Sequence, residues 1–203
     1  IIENSFPAAA QVVDRFHAQK VVSEAVQEIR IELRKKAIKE ENEDVKKARE
    51  EGRRHRLIEY KNGDTKKQLL ARSRYLLFKS SGQWTDSQKN RATILFNEFP
   101  EIKNEYELSM MFRSFYEYNH SQFDAKKSLD AWYEKIEEKN IDSFNIAAES
   151  IRLHETTILN YFNNRSTNAS AESFNAKLKS FRSIVRGVRD IKFHLFRVAK
   201  LYA

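Results

Sequence analysis

Two acidic side chains near opposite ends of the chain stand where a metal-binding carboxylate could work. Asp14, in Val12-Val13-Asp14-Arg15-Phe16-His17, ends a short apolar run, where a side chain emerges at the carboxyl edge of a strand. Glu172, in Asn168-Ala169-Ser170-Ala171-Glu172-Ser173-Phe174-Asn175, falls in the first turns of a basic helical segment. Carboxylate oxygens suit hard divalent cations, and a carboxylate set among cationic residues points to a site for metal and phosphate together. The simpler alternatives are a turn or N-cap role for Asp14 and compensation of the helix macrodipole for Glu172. His17, one turn beyond Asp14, reads as a packing or hydrogen-bonding residue, because no second His stands at ligand spacing. Asn168 is placed to cap the helix of Glu172. Asn175 shares the face of Glu172 and could orient the carboxylate or touch DNA, with orientation or packing the favoured reading.

The charge around Glu172 is one-sided. The 203 residues carry a net charge of +8, and residues 165–203 hold nine basic and two acidic side chains, which is +7 of it. Lys177, Lys179, Arg182, Arg186 and Arg189 have no compensating acid before Asp190 and form the set expected to meet phosphate, the alternative being an ordinary solvated helix face. Residues 34–56 are as densely charged, with ten basic and six acidic residues, but mixed in sign, which predicts a solvated helix or a mobile linker. Cysteine is absent, which excludes disulfide scaffolds, thiolate metal sites and cysteine nucleophiles. No apolar run approaches the roughly 20 residues of a membrane span and no signal peptide is visible, so the expectation is a soluble intracellular protein without a membrane partner. The chain opens Ile1-Ile2 without an initiator Met, and a piece of a longer protein is expected.

The elements that must position these residues are mostly helical. Residues 8–13 are the one strand candidate. Val22, Ala25, Ile29, Leu33 and Ala37 recur at helical spacing and predict a helix over residues 16–39. Tyr60-Lys61-Asn62-Gly63-Asp64 is a turn signal, and Leu69, Leu70, Ser73, Leu76 and Leu77 make an apolar face that ends at Ser80-Ser81-Gly82. Thr85 and Gln88 have the spacing of a capping box, and Pro100 stops one helix or begins the next. Further helices are predicted to about residue 119, around Leu129 to Ile136, and from an N-cap at Asp142 through Phe162. Trp84 and Trp132 fall at helical spacing with apolar neighbours and read as core. After a polar gap at 163–168 come the helix of Glu172, a break at Gly187, and an amphipathic helix over 189–201 presenting Ile191, Leu195, Val198 and Ala199 to a core. No fixed-period repeat is present, which favours an irregular helical bundle.

Taken together, Phe6-Pro7-Ala8-Ala9 through Val13-Asp14-Arg15-Phe16-His17, then Asn168-x-x-x-Glu172-x-x-Asn175-x-x-Leu178-Lys179 with Arg186-Gly187, resemble the DDE transposases of the ISL-three insertion-sequence group. Ile158-Leu159-Asn160-Tyr161-Phe162 leads into the second block as in that group. The resemblance implies an RNase H-like catalytic domain in which two Asp and one Glu hold two divalent ions, Mg2+ or Mn2+. Asp14 would be the second aspartate and Glu172 the closing glutamate. It also implies a mainly α chain: an irregular helical bundle (18–162) inserted into a partial RNase H-like α/β domain, formed by a strand and Asp motif (1–17) and basic helices (163–203), of which at most a short strand remains. The partner would be DNA, at insertion-sequence ends and target, with a possible homo-oligomer, in a bacterial cytoplasm and associated with the nucleoid. Nothing before Asp14 can supply the first aspartate, so the piece is expected to be inactive alone. The rival expectation is a non-catalytic helical DNA-binding or assembly module, and a third is a helical protein-interaction scaffold.

Overall fold

The computed structural model describes residues 11–165, 169–184 and 188–202. Two compact units divide the chain, 1–164 and 165–203.

In the first unit the organising element is α1, Arg15–Glu50, a single helix of 36 residues. Its start is fixed by Asp14, whose Oδ1 accepts the N–H of Phe16 at 2.7 Å and so satisfies one of the orphan donors of the first turn. The first half buries Ala18, Val22, Ala25 and Val26, with Ile29 and Leu33 partly covered. Beyond Ala37, only Ala48 of α1 is buried. The solvated-helix reading of the charged stretch therefore holds as far as Glu50, and the helix outruns its apolar stripe by three turns. Ion pairs support that outer half: Lys66 and Lys67 reach Glu40 and Glu41 at 2.9 and 2.5 Å. Gly52, with φ near +68°, turns the chain out of the helix.

The turn at 60–64 closes on itself, Gly63 (φ near +75°) donating to Tyr60 O and Tyr60 to Asp64 O. It is flanked by an isolated antiparallel bridge between Glu59 and Thr65, the only β pairing among the described residues. Then follow α2 (Lys66–Arg72), 3₁₀ turns at Leu76–Phe78 and Ser81–Gln83, α3 (Asp86–Glu98), α4 (Pro100–Tyr118), α5 (Gln122–Lys139), α6 (Asp142–Leu153), α7 (Glu155–Leu159) and α8 (Tyr161–Asn164). The Thr85–Gln88 capping box forms as predicted, and Pro100 opens α4 at a position where its missing N–H costs nothing. Ile141, rather than Asp142, is the cap of α6, and Asp142 sits in the first turn. The long helix expected through Phe162 breaks at His154 and Asn160 into three pieces.

Around α1 pack α4, α6 and α2, with α5 against α4. The core between them is aromatic. Phe112 and Trp132 meet at 4.8 Å between ring centroids, Phe115 and Phe162 at 5.0 Å, and the Trp132 indole donates to Leu108 O at 3.0 Å. Trp132 is buried, and Trp84 is half-buried between Phe96 and Tyr106 with its indole N–H on Leu76 O, so both tryptophans pack as expected.

The strand expectation fails where it can be read. Residues 8–10 lie outside the described residues, and 11–13 carry no strand pairing. The N–H of Val13 goes to Thr157 O at 3.0 Å and Gln11 O accepts from Asn160 Nδ2 at 2.9 Å, so the backbone groups a neighbouring strand would take are bound to a helical segment. The second unit holds α9 (Ala169–Ile184) and α10 (Ile191–Tyr202). Here α10 corrects the sequence reading: Ile191 and Leu195 are 69% and 58% exposed, Ala199 is exposed, and only Val198 of the four is half-buried. The break assigned to Gly187 lies outside the described residues. Among the described residues no helix is long and apolar enough to cross a membrane.

Candidate functional site

Asp14 is held from both sides along the chain. Before it, Gln11 and Val13 are tied to Asn160 and Thr157; after it, α1 begins. Asn160 is itself gripped by Gln122 Nε2 at 3.2 Å. The first motif block is thereby fastened to the stretch containing Ile158-Leu159-Asn160-Tyr161-Phe162, two segments nearly 150 positions apart in sequence. Sequence reasoning took Asn160 as part of a motif and missed that it is the anchor; a polar residue between apolar Leu159 and Tyr161 was the available signal.

The Asp14 side chain is 12% exposed, and His17 Nδ1 lies 3.9 Å from its Oδ1, beyond hydrogen-bond length. His17 is largely exposed and turns an edge to Phe16, in keeping with a minor packing role. Nearby, burial raises the Tyr116 hydroxyl pKa, and the charge of Asp14 and then Tyr161 push it further up, while Arg15 opposes them. Asp14 thus projects its field into the same corner of the unit as Tyr116 and Tyr161.

On α9, helical register puts positions 172, 175, 176 and 179 on one face and Phe181 on the opposite one. Phe181 is buried, stacked on His194 at 5.4 Å with Arg197 over its ring at 5.0 Å. Asn175, Lys177, Lys179 and Arg182 are exposed on this helix, and Arg189 is exposed before α10. None of these four cations forms an ion pair among the described residues, which leaves their charge available to a phosphate backbone. Lys179 and Arg182 lie towards the face of position 172, whereas Lys177 lies away from it. Asn168 and Arg186 are outside the described residues, and of Glu172 only its place in the helix is described.

A two-ion site cannot be assembled from the described side chains. Among them no group of three or more His, Asp or Glu is placed to hold a metal.

One family model matches nearly the whole chain. The family model of ISL-three DDE proteins, described as "Transposase", matches residues 1–198. The chain belongs to this transposase family. No curated protein and no solved structure matches it.

Proposed function

We propose that the chain is part of a DNA transposase that catalyses metal-dependent cleavage and transfer of insertion-sequence strands. Asp14 and Glu172 are two of its metal-holding carboxylates. The family match over residues 1–198 carries this reading. It is supported by the fastening of the Asp14 block to Asn160, twelve positions before Glu172. Two Mg2+ or Mn2+ ions would supply the chemistry by activating the attacking hydroxyl and stabilising the leaving oxygen at phosphorus. By the resemblance, a third carboxylate completes the set with Asp14 and Glu172. Lys177, Lys179, Arg182, Arg186 and Arg189 meet the DNA backbone, and Asn168 and Asn175 support the helix and its glutamate.

The test separates the structural work of Asp14 from its chemistry. Asn caps a helix about as well as Asp, whereas Ala costs about 1 kcal/mol. In the complete transposase, Asp14→Asn is expected to keep the melting temperature while abolishing strand cleavage, and Glu172→Gln to abolish cleavage with end-DNA binding nearly intact. Cleavage at the original rate by either variant would exclude the assigned carboxylate. Tight, salt-sensitive DNA binding by a complete protein that never cleaves would favour the non-catalytic module instead.

A further inference from the structure

In the first unit a cavity of about 550 Å3 opens between the start of α1, the 75–78 turn and α4. Its rings include Phe16 and Tyr75, which are 71% and 68% exposed, so two large aromatic side chains stand largely in solvent here, Tyr75 with the Arg74 guanidinium over its ring at 5.5 Å. Arg15, Lys20 and Arg113 line it as well, against the single carboxylate of Glu117. Lys20 is shared with Glu24 at 3.6 Å, an exposed pair that costs little to part.

The wall also has unfinished polar bonding. Gln19 Oε1, Arg113 Nε and the Tyr116 hydroxyl are buried with no hydrogen-bond partner, although the same side chains are anchored elsewhere: Gln19 Nε2 lies 3.3 Å from Ser109 Oγ, and Arg113 donates to Phe78 O at 2.7 Å. A buried polar group without a partner is a rare and costly feature, and three of them border one cavity. They are closed off from solvent, so a ligand would meet them after a side-chain turn. An acceptor, a donor and a hydroxyl beside aromatic faces suit a planar heterocycle with N–H and C=O edges, and the surrounding cations suit a phosphate attached to it. A hydrocarbon would leave the polar groups unmet, and phosphate alone would leave the rings unused.

We propose that this cavity takes one unpaired nucleotide of a DNA strand, with its base against Tyr75 and Phe16 and its phosphate on Arg15 and Lys20. That the strand is DNA rests on the transposase reading; the nucleotide chemistry rests on the cavity. Arg15 and Phe16 directly follow Asp14, so a nucleotide held here lies beside the aspartate to which cleavage is assigned. Stacking on aromatic side chains is tolerant of sequence, which fits a device that must hold any unpaired base of a defined strand position.

The experiment uses the 203-residue chain and a single-stranded oligonucleotide carrying one 2-aminopurine. Competitors are the same strand with an abasic position, a fully paired duplex, and deoxyadenosine monophosphate. Binding is expected to quench the fluorophore, and the abasic strand to compete about 10-fold more weakly than an intact strand. Tyr75→Ala, at an exposed position that folding does not need, should weaken single-strand binding by a similar factor and remove the quenching. Tyr75→Phe, which keeps the ring, should restore both. Lys20→Gln should weaken binding and flatten its salt dependence. Unchanged quenching and affinity in Tyr75→Ala would overturn the proposal. So would equal competition by intact and abasic strands, and if duplex binding persisted in that case the transposase reading would stand without the cavity. Monophosphate binding as tight as the oligonucleotide would overturn the assignment to a strand.

Discussion

At the residue scale, Asp14 has a structural function that is sufficient to explain its presence, since an N-cap Asp at the head of a 36-residue helix needs no metal. What sets it apart is its setting: a mostly buried carboxylate, with the chain before it pinned by Asn160 and Thr157. Glu105 is the opposite case, an acid that burial makes chemically awkward. It lies on α4 with 1% of its surface exposed, the Ser143 hydroxyl 3.4 Å from its Oε1, and its Oε2 unpartnered among the described residues. Burial pushes its pKa up to about 8, opposed by the hydrogen bond from Ser143 and assisted by the charges of Glu28, Glu32 and Glu101. Between about pH 4.5 and 8 the unfolded chain is ionised at this position while the folded chain keeps the proton. Stability from this group is therefore complete below pH 4.5, falls as pH rises, and levels off above 8. Glu105→Gln should remove that fall, at roughly 1.4 kcal/mol for each pH unit of the window, and be more stable than the parent at pH 8. Urea unfolding at pH 5, 7 and 8.5 would show it; parallel pH profiles for the two proteins would mean that Glu105 is ionised in the fold.

Among elements, the joint between α2 and α3 depends on Asp64. Its carboxylate is fully buried and receives Arg72, from the end of α2, and Arg91 Nε, from α3, at 3.0 Å for the latter, with Asn62 Nδ2 at 2.8 Å. Burial alone would raise its pKa, but the hydrogen bonds and charges of Arg91 and Arg72 together outweigh it and hold the carboxyl below its ordinary range. The sign is the reverse of Glu105: this stabilisation is present above about pH 4 and lost as pH falls through the lowered value. Asp64→Asn removes the charge from both contacts, leaving the mostly covered Arg91 without its counter-charge while the half-exposed Arg72 turns to water, and should cost about 2 kcal/mol in urea unfolding at pH 7; a loss under about 0.5 kcal/mol would mean that the clamp is solvent-screened. Nothing in the sequence distinguished Asp64 from an ordinary turn acid, because its arginines stand 8 and 27 positions away. Local chemistry was the legible part: the Thr85–Gln88 box, Pro100 at a helix start, and the apolar faces of α2 to α6 all depend on neighbours within a turn. The same dependence explains the errors. An apolar run followed by Asp is locally a strand end, and only the distant Thr157 and Asn160 make residues 11–13 a tether. For the candidate site, sequence supplied the two acids and the cations but none of the cavity beside Asp14, whose walls come from three separate stretches of chain.

For the whole molecule, the two units differ in how much each can bury. In the first, α1 lies against α2, α4 and α6 around a contiguous core that runs from Ala18 to Phe162. In the second, Phe181 is the one hydrophobic side chain buried among the described residues, while Ile184, Ile191, Phe193, Leu195, Phe196 and Leu201 are each more than half exposed. Helices of 16 and 12 residues with so little covered surface have little tertiary stabilisation to add to their own propensity. Opening them should cost far less than global unfolding. In native-state hydrogen exchange, the amides of α4 and α5 should be protected to near the full unfolding free energy, whereas those of α9 and α10 should exchange at least about 100-fold faster. If Lys179 and Arg182 meet DNA phosphate as proposed, adding DNA should slow exchange in α9 selectively, because a ligand of the folded helix alone stabilises it against opening. Equal protection of α9 and α4 in the free chain would show that the apolar face of α10 is covered in solution, and would move the order of stability from the first unit's core to the molecule as a whole.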